Sequence, residues 1–392
     1  MIIYRNLEAP LKRMATQMPV VAVTGPRQSG KTTLCRSAFP DKPYVSLEPL
    51  DVREYAVGDP RGFLEEYREG AIFDEVQRAP DLLSYLQVDV DERPDPGRFI
   101  LTGSQQFPLS EAITQSLAGR IALLTLLPPS LDEIKRFDIG ELDLWDLVWT
   151  GSFPRIYDRQ LAPAPWLADY VTTYVQRDVR QVLNITGLEA FVTFLRLAAG
   201  RTATEISLSG LGADAGVSHP TVRAWLSVLE ASFVVHRLPA WHRNQRKQII
   251  KSAKVHFLDP GLACHLLGIT ETAQLRHHPL RGPIFESWVV SEVLKWRCHR
   301  GLPSRAFHYR ESRGMEVDFL IEEGNRLIAA EVKSGATLSS DSMKHLRRLT
   351  ADLEGKRPSL TVDARVIFGG HTGQRRSDVA VIPWHSIQDF TW

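Results

Sequence analysis

The stretch from Gly25 to Thr32 has residue types and a spacing that point directly to phosphate chemistry. It reads Gly-Pro-Arg-Gln-Ser-Gly-Lys-Thr and matches the pattern G-x-x-x-x-G-K-[ST], between an apolar run and a helix-forming run. Glycines let backbone N–H groups close around a phosphate, and the start of a helix adds positive potential. We expect Lys31 to contact the β- and γ-phosphates of ATP, and the Thr32 hydroxyl to bind Mg²⁺. The expected nucleotide-binding set is Gly25, Pro26, Arg27, Gln28, Ser29, Gly30, Lys31, Thr32 and Thr33.

Two acidic residues, Asp74 and Glu75, follow a short apolar run further along the chain. A site that hydrolyses a nucleotide needs a carboxylate near the metal and a group that positions the attacking water. We predict that Asp74 binds Mg²⁺ through its water shell and that Glu75 polarises this water. Acidic residues also end many solvated strands, so the position after a phosphate-binding loop is what favours the catalytic interpretation.

Polar residues after a later apolar run offer contacts for the terminal phosphate. Ser104 is the first candidate for a γ-phosphate sensor and Gln105 the second, although an ordinary polar loop would show the same pattern. Arg120 ends a predicted helix. It would either reach the nucleotide of a neighbouring subunit or simply offset the helix dipole.

A second group of charged residues lies in the last third of the chain. Glu286 is on a predicted helix, Asp318 on a predicted strand, and Glu331 and Lys333 on the next strand. The set resembles the PD-(D/E)xK nuclease core. That resemblance implies a second Mg²⁺ or Mn²⁺ held by Asp318 and Glu331 with help from Glu286, while Lys333 stabilises phosphate charge. Such folds also serve as binding or assembly domains without cutting.

The elements that must position the first site read as a parallel α/β sheet. Apolar strands alternate with crossover helices, which is typical of a sheet covered on both faces. The predicted strands span 20–24, 44–47, 71–74, 99–102 and 121–126, and the predicted helices span 31–39, 60–69, 80–87 and 109–117.

The middle of the chain is predicted to be helical and to contain a winged helix. Residues 204–230 read as two helices around a tight turn, followed by β-like stretches at 233–238 and 254–258. His219, Thr221 and Arg223 on the second helix are candidates to face a nucleic-acid groove, DNA more than RNA. A run without acidic residues would let a wing touch phosphates, although a solvated surface looks the same. Its basic residues are Arg237, Arg243, Arg246, Lys247, Lys251 and Lys254.

Three domains follow from these patterns: a P-loop domain with a parallel α/β sheet at 1–165, a helical and winged-helix domain at 166–250, and a mixed α/β nuclease-like domain at 251–392. The net charge of +1 means that a nucleic acid would need a local basic surface. Cys35, Cys264 and Cys298 form no CxxC pair, which argues against a disulfide framework. We expect a cytoplasmic protein with no membrane segment.

Several runs together resemble a prokaryotic family of AAA+ ATPases that carries a C-terminal domain of unknown function. They are GPRQSGKTTL, SLEP, IFDEVQ, ILTGSQ and SLAGR in the first half, and YVQRDVR, HFLDPGLA and GPIFESWVVSEV in the second. The resemblance implies a P-loop AAA-type domain at 1–165 and a homo-oligomer, such as a ring, in which Arg120 of one subunit completes the site of the next.

Three functional hypotheses remain open at this point. The first is ATP hydrolysis coupled to binding and remodelling, or translocation, of nucleic acid. The second is an ATP-dependent endonuclease with a working metal site in the C-terminal domain. The third is a nucleotide-switched scaffold whose client is a protein.

Overall fold

The computed structural model describes residues 2–104, 116–175, 187–241, 253–311, 314–356, 359–375 and 378–392. Several predictions fall on other residues. Gln105, most of the helix at 109–117 and the greater part of the YVQRDVR run lie outside the described residues, as do Arg243, Arg246, Lys247 and Lys251.

The first sheet contains five parallel strands in the order β2-β3-β4-β1-β5. All residues of β1, β3 and β4 are buried, because helices cover both faces of the sheet. The predicted parallel sheet is therefore confirmed. The strands are β1 (Val20–Thr24), β2 (Tyr44–Ser46), β3 (Ala71–Asp74), β4 (Phe99–Gly103) and β5 (Ile121–Thr125).

Helices lie at the predicted 31–39, 60–69 and 80–87, whereas the helices Glu8–Ala15 and Leu50–Gly58 were not predicted. The helix Leu50–Gly58 was missed because its apolar residues show no clear helical stripe and several are exposed. The helices are α1 (Glu8–Ala15), α2 (Lys31–Ala38), α3 (Leu50–Gly58), α4 (Pro60–Glu66) and α5 (Leu82–Glu92), with a 3-10 turn at Val76–Arg78.

The middle of the chain is mainly helical and carries a small antiparallel sheet in the order β6-β8-β7. Its helices are α6 (Leu131–Ile134), α7 (Leu144–Thr150), α8 (Pro154–Asp158), α9 (Pro163–Tyr170), α10 (Leu188–Ala199), α11 (Leu208–Ala215), α12 (His219–Ala231), α13 (Pro260–Leu266) and α14 (Thr272–His277), with a π-helical turn at Val171–Val175. Its strands are β6 (Thr204–Glu205), β7 (Val235–Leu238) and β8 (Lys254–Phe257).

The C-terminal part has one long helix followed by a mixed sheet in the order β13-β14-β12-β11-β10-β9. Strands β9, β10 and β11 are antiparallel neighbours, whereas β12 pairs with β11 in parallel. The elements are α15 (Arg281–Cys298), β9 (Ala306–Arg310), β10 (Glu316–Glu323), β11 (Arg326–Lys333), α16 (Lys344–Lys356), β12 (Thr361–Phe368), β13 (Gln374–Arg375) and β14 (Ala380–Pro383), with 3-10 turns at Ser340–Met343 and Trp384–Asp389.

Helix α15 is the central packing element of the C-terminal half. Trp288, Val289 and Val293 are buried on it, within a large hydrophobic cluster. Leu131 and Leu147 belong to the same cluster, although they follow the first sheet in the sequence. The segment after β5 therefore packs on the C-terminal half as well. Among the residues that the structure describes, no helix has both the length and the apolar character needed to cross a membrane.

Candidate active site

The phosphate-binding loop joins β1 to α2 and depends on two glycines. Gly30 lies immediately before α2 with φ +95°, a backbone conformation that favours glycine. A Cβ atom on Gly25 would lie 2.1 Å from the carbonyl oxygen of Leu126. The loop is therefore shaped by the close approach of the chain after β5, and α2 begins where the loop ends.

The side chain of Lys31 is folded back into this loop. Its Nζ donates to the carbonyl oxygens of Gly25 at 3.1 Å and Pro26 at 2.8 Å. Burial lowers the pKa of Lys31 to about 8, although the charges of Glu75 and Asp74 oppose this shift. A phosphate group would supply an anionic acceptor in place of neutral carbonyls, which is the role predicted for this lysine.

Asp74, at the carboxyl end of β3, gathers hydroxyl donors around its carboxylate. Thr32 Oγ1 lies 3.1 Å from each of its oxygens, and Thr102 also donates to it. The structure thus brings Thr32 and Asp74 together, as the prediction of an Mg²⁺ site requires. Tyr44 was not anticipated: its hydroxyl donates to Asp74 at 2.7 Å, and burial together with this carboxylate raises its pKa to about 12.

Glu75 and Ser104 meet because β3 and β4 are neighbours in the sheet. Ser104 Oγ donates to Glu75 Oε2 at 3.2 Å, and Gln77 Nε2 contacts both side chains. Glu75 has φ 58°, a left-handed conformation that is uncommon for a residue with a side chain. Gln77 is a second residue that the sequence pattern did not single out, although it lies in the run that follows Glu75.

A cavity of about 420 Å³ opens beside the loop, a volume in the range of small-ligand sites. The loop and Glu75 form one part of its lining, and a second part, called here the second wall, carries apolar side chains and the charged residues Arg155 and Asp158. Sequence reasoning missed this second wall, because its residues come from separate parts of the chain. They include Ile2, Ile3, Phe137, Pro154, Arg155 and Asp158.

Arg5 links the loop to a buried carboxylate. It donates to the carbonyl oxygens of Ser29 and Leu127, both at 2.8 Å, and its Nε lies 3.1 Å from Glu133. Glu133 is fully buried, and His299 lies 3.2 Å from its other oxygen. Burial alone would raise the pKa of Glu133, but Arg5 and His299 hold it well below its usual value.

Arg120 does not reach the nucleotide cavity of its own chain. It lies in the turn before β5, and its carbonyl oxygen accepts from Val20 N at the start of β1. The phosphate-binding loop leaves the other end of β1, on the order of 13 Å away for a five-residue strand. The guanidinium is partly exposed and pairs with Asp91 of α5, with Nη2 at 2.8 Å from Oδ2.

The C-terminal carboxylates also come together. The antiparallel register of β10 and β11 brings Asp318 beside Glu331, and Val332 N donates to Asp318 at 2.7 Å. Lys333 Nζ lies 2.7 Å from Glu331. Burial raises the pKa of both Glu286 and Glu331 to about 8, and the charge of Asp318 adds to each shift. Among the residues that the structure describes, no group of three acidic, histidine or cysteine side chains is arranged to hold a metal ion.

Two members of the predicted basic surface are not free. Lys254 was expected to face phosphates, and this prediction is wrong: its side chain is buried against Glu286 and Glu316. The physical reason is that β8 is the middle strand of its small sheet and faces α15. Arg237 pairs with Glu230, with Nε at 2.6 Å from Oε2. On α12, His219 and Arg223 are exposed.

Family models match three consecutive parts of the chain. Residues 17–135 match the family described as "AAA domain", residues 141–273 match "Domain of unknown function (DUF8612)", and residues 281–387 match "Domain of unknown function (DUF4143)". The AAA-domain match covers the loop, Asp74, Glu75, Ser104 and Arg120. It supports ATP hydrolysis at this end of the chain.

Relatives are found along nearly the whole length. The chain is 30% identical over 392 residues to "Uncharacterized protein Rv2008c" of Mycobacterium tuberculosis (strain ATCC 25618 / H37Rv), covering 98% of this chain and 84% of the relative. "Uncharacterized protein Mb2031c" of Mycobacterium bovis (strain ATCC BAA-935 / AF2122/97) matches with the same figures. Among solved structures, "The walker-type atpase paby2304 of pyrococcus abyssi" is 17% identical, with a TM-score of 0.47 over 66% of this chain and 94% of that chain.

Proposed function

This chain belongs to the same family as the two mycobacterial proteins and has an AAA domain at its N-terminal end. On that premise, we propose that it hydrolyses ATP with Mg²⁺ at the cavity beside Lys31. The observation that carries the proposal is the meeting of the Thr32 hydroxyl, the Asp74 carboxylate and the Lys31 ammonium group beside one cavity. Hydroxyl and carboxylate oxygens suit Mg²⁺, and Thr32 with Asp74 would hold it. The ion supplies charge neutralisation for the phosphates.

Each side chain of the proposed site has a distinct task. The loop amides and Lys31 bind the phosphates, while Glu75 accepts a proton from the attacking water. Ser104 holds the Glu75 carboxylate, so it sets the position of this base. The apolar wall that includes Phe137 and Pro154 suits a flat purine, and Arg155 adds a positive charge on the same side.

The hydrolysis proposal is tested with Lys31→Ala and Glu75→Gln. Lys31→Ala should abolish ATP binding in calorimetry, whereas Glu75→Gln should bind ATP and release phosphate about 10² to 10⁴ times more slowly. Glu69→Gln is a matched control, since the Glu69 side chain is 87% exposed on the surface. Normal turnover by Glu75→Gln would remove this residue from its role as base.

We infer that Arg120 acts across a subunit interface of a homo-oligomer. Its position at the end of β5 that lies away from its own cavity, with a partly exposed guanidinium, supports this role. Mixing Arg120→Ala with Glu75→Gln should restore part of the ATPase activity, because some sites would then combine an intact base with an intact arginine. Two inactive variants that stay inactive when mixed would speak against a shared site.

The middle segment is proposed to be a winged helix that binds nucleic acid, DNA more than RNA. Helices α10, α11 and α12 followed by an antiparallel β7–β8 pair, with β6 beside β8, support that topology. His219 and Arg223 are exposed on α12 and would face a groove. Hydrolysis would then drive remodelling or movement on nucleic acid in the cytoplasm. Buried free thiols at Cys35 and Cys264 fit a reducing compartment.

Duplex DNA tests this second part independently. The ATPase rate of the wild-type protein should rise with duplex DNA, and Arg223→Ala should weaken that stimulation without changing the basal rate. Arg68→Ala is a matched control, because the Arg68 side chain is 59% exposed and follows α4 beside the first sheet. An ATPase rate that is insensitive to DNA and RNA, with no binding to either, would favour a protein client.

A further inference from the structure

The acidic cluster of the C-terminal domain already contains a cation that belongs to the chain. Lys254 Nζ lies 3.0 Å from Glu286 Oε1, 2.6 Å from Glu316 Oε1 and 3.8 Å from Asp318 Oδ1. The Lys254 side chain is only 4% exposed. Two of the three residues predicted to hold a metal therefore share one ammonium group.

A divalent ion between Glu286 and Asp318 would need the space that this ammonium group fills. Mg²⁺ and Ca²⁺ bind carboxylate oxygens at about 2.0–2.6 Å, so an ion held by both residues would lie within a few ångströms of Lys254 Nζ. Two positive charges at such a separation repel strongly in a buried site. The residues present do not fit a divalent metal while Lys254 keeps its position.

Other donors of the chain hold further oxygens of the cluster. Asp318 Oδ2 accepts from Val332 N, and Glu331 Oε2 accepts from Lys333 Nζ, both at 2.7 Å. Glu331 Oε1 is buried without a hydrogen-bond donor, with His345 Nδ1 at 3.8 Å. The chain's own donors thus already hold one oxygen of Asp318 and one of Glu331, which agrees with the absence of a three-ligand group among the described residues.

The strands on both sides of β8 hold the backbone of Lys254. Its backbone pairs with Leu238 of β7 and Glu205 of β6. Its side chain contacts Glu286 of α15 and Glu316 of β10. The lysine thus joins the small sheet to α15 and β10.

We propose that Lys254 is the resident cation of the cluster and that its ammonium group takes the place of a divalent metal. The cluster is then a structural joint between the β6-β8-β7 sheet and the C-terminal domain, and it is not a nuclease centre. The proposal is independent of ATP hydrolysis, because it involves no residue of the nucleotide cavity.

The test is a Mn²⁺ titration of the full-length, nucleotide-free protein, followed by electron paramagnetic resonance of the free ion. Wild type should bind no stoichiometric Mn²⁺. Lys254→Met removes the charge and keeps an unbranched side chain, so it should bind one Mn²⁺ per chain, with a dissociation constant at least about tenfold below that of any residual wild-type binding. Adding Asp318→Asn should remove that site, whereas adding Asp74→Asn at the nucleotide cavity should not.

Two results would overturn the proposal. One is a wild-type Mn²⁺ site that Asp318→Asn abolishes. The other is a Lys254→Met protein that unfolds cooperatively yet gains no Mn²⁺ site. If Lys254→Met does not fold, thermal unfolding of the wild-type protein with and without Mn²⁺ tests the proposal instead. The unfolding temperature should be unchanged by Mn²⁺, and a rise that Asp318→Asn abolishes would contradict the assignment.

Discussion

Replacing Glu133 by glutamine tests whether the buried charge network beside the phosphate-binding loop stabilises the protein. Glu133 Oε1 accepts from Asn6 N at 2.6 Å and lies 3.1 Å from Arg5 Nε, while Oε2 accepts from Ser130 N at 3.0 Å and lies 3.2 Å from His299. A glutamine keeps the shape of the glutamate side chain and loses its charge. Because donors face both carboxylate oxygens, the NH₂ group of the glutamine must point toward hydrogen-bond donors at one of these two positions.

The expected loss follows from the burial of both partners. The Arg5 side chain is 7% exposed and the Glu133 side chain is 0% exposed, so Glu133→Gln leaves a buried guanidinium without its counterion. Removing one partner of a buried pair typically costs about 3–5 kcal/mol. We expect the free energy of unfolding to fall by about that amount. ATP binding should weaken as well, because Arg5 also holds the carbonyl oxygen of Ser29 in the loop.

Urea unfolding followed by tryptophan fluorescence measures this loss, and Glu65→Gln is the matched control. Glu65 pairs with Arg68 at 3.1 Å, but both side chains are more than half exposed, so less than about 1 kcal/mol should be lost. The low pKa of Glu133 also predicts how the free energy of unfolding changes with pH. Its contribution is complete above the unfolded value of 4.5 and is lost as the pH falls below it. A Glu133→Gln protein within about 0.5 kcal/mol of wild type would refute the reasoning.

Three further outcomes concern the cavity itself. Gly25→Ala should abolish ATP binding in calorimetry, because its Cβ would lie 2.1 Å from Leu126 O; unchanged affinity would show that the loop can shift. Since burial lowers the pKa of Lys31 to about 8, the dissociation constant for ATP should rise above pH 8 by up to about tenfold per pH unit, and a flat profile to pH 9.5 would contradict that shift. Ser104→Ala should slow phosphate release while ATP affinity stays within about twofold, since Ser104 contacts Glu75; a large loss of affinity would instead indicate direct nucleotide contact.

The nucleotide half of the protein was predictable because its signals are local. A phosphate-binding loop needs its glycines, lysine and threonine within a few residues, and buried parallel strands appear as continuous apolar runs. The strands Val20–Thr24 and Ala71–Asp74 agree with their predicted ranges. The division of the chain at residues 165 and 250 and the nuclease-like fold of the last domain stay predictions, and the winged-helix assignment stays a proposal.

What the sequence determined by itself is the identity of the groups that contact one another within a loop or at the same edge of the sheet, such as Lys31 with its loop and Thr32 with Asp74. What only the tertiary structure decided is which distant charges share a buried space. Arg5 meets Glu133, and Lys254 enters the cluster around Asp318, although long stretches of chain separate these partners. The physical reason is that a charged side chain is exposed by default, and only the packing of elements around it determines whether it must find a counterion.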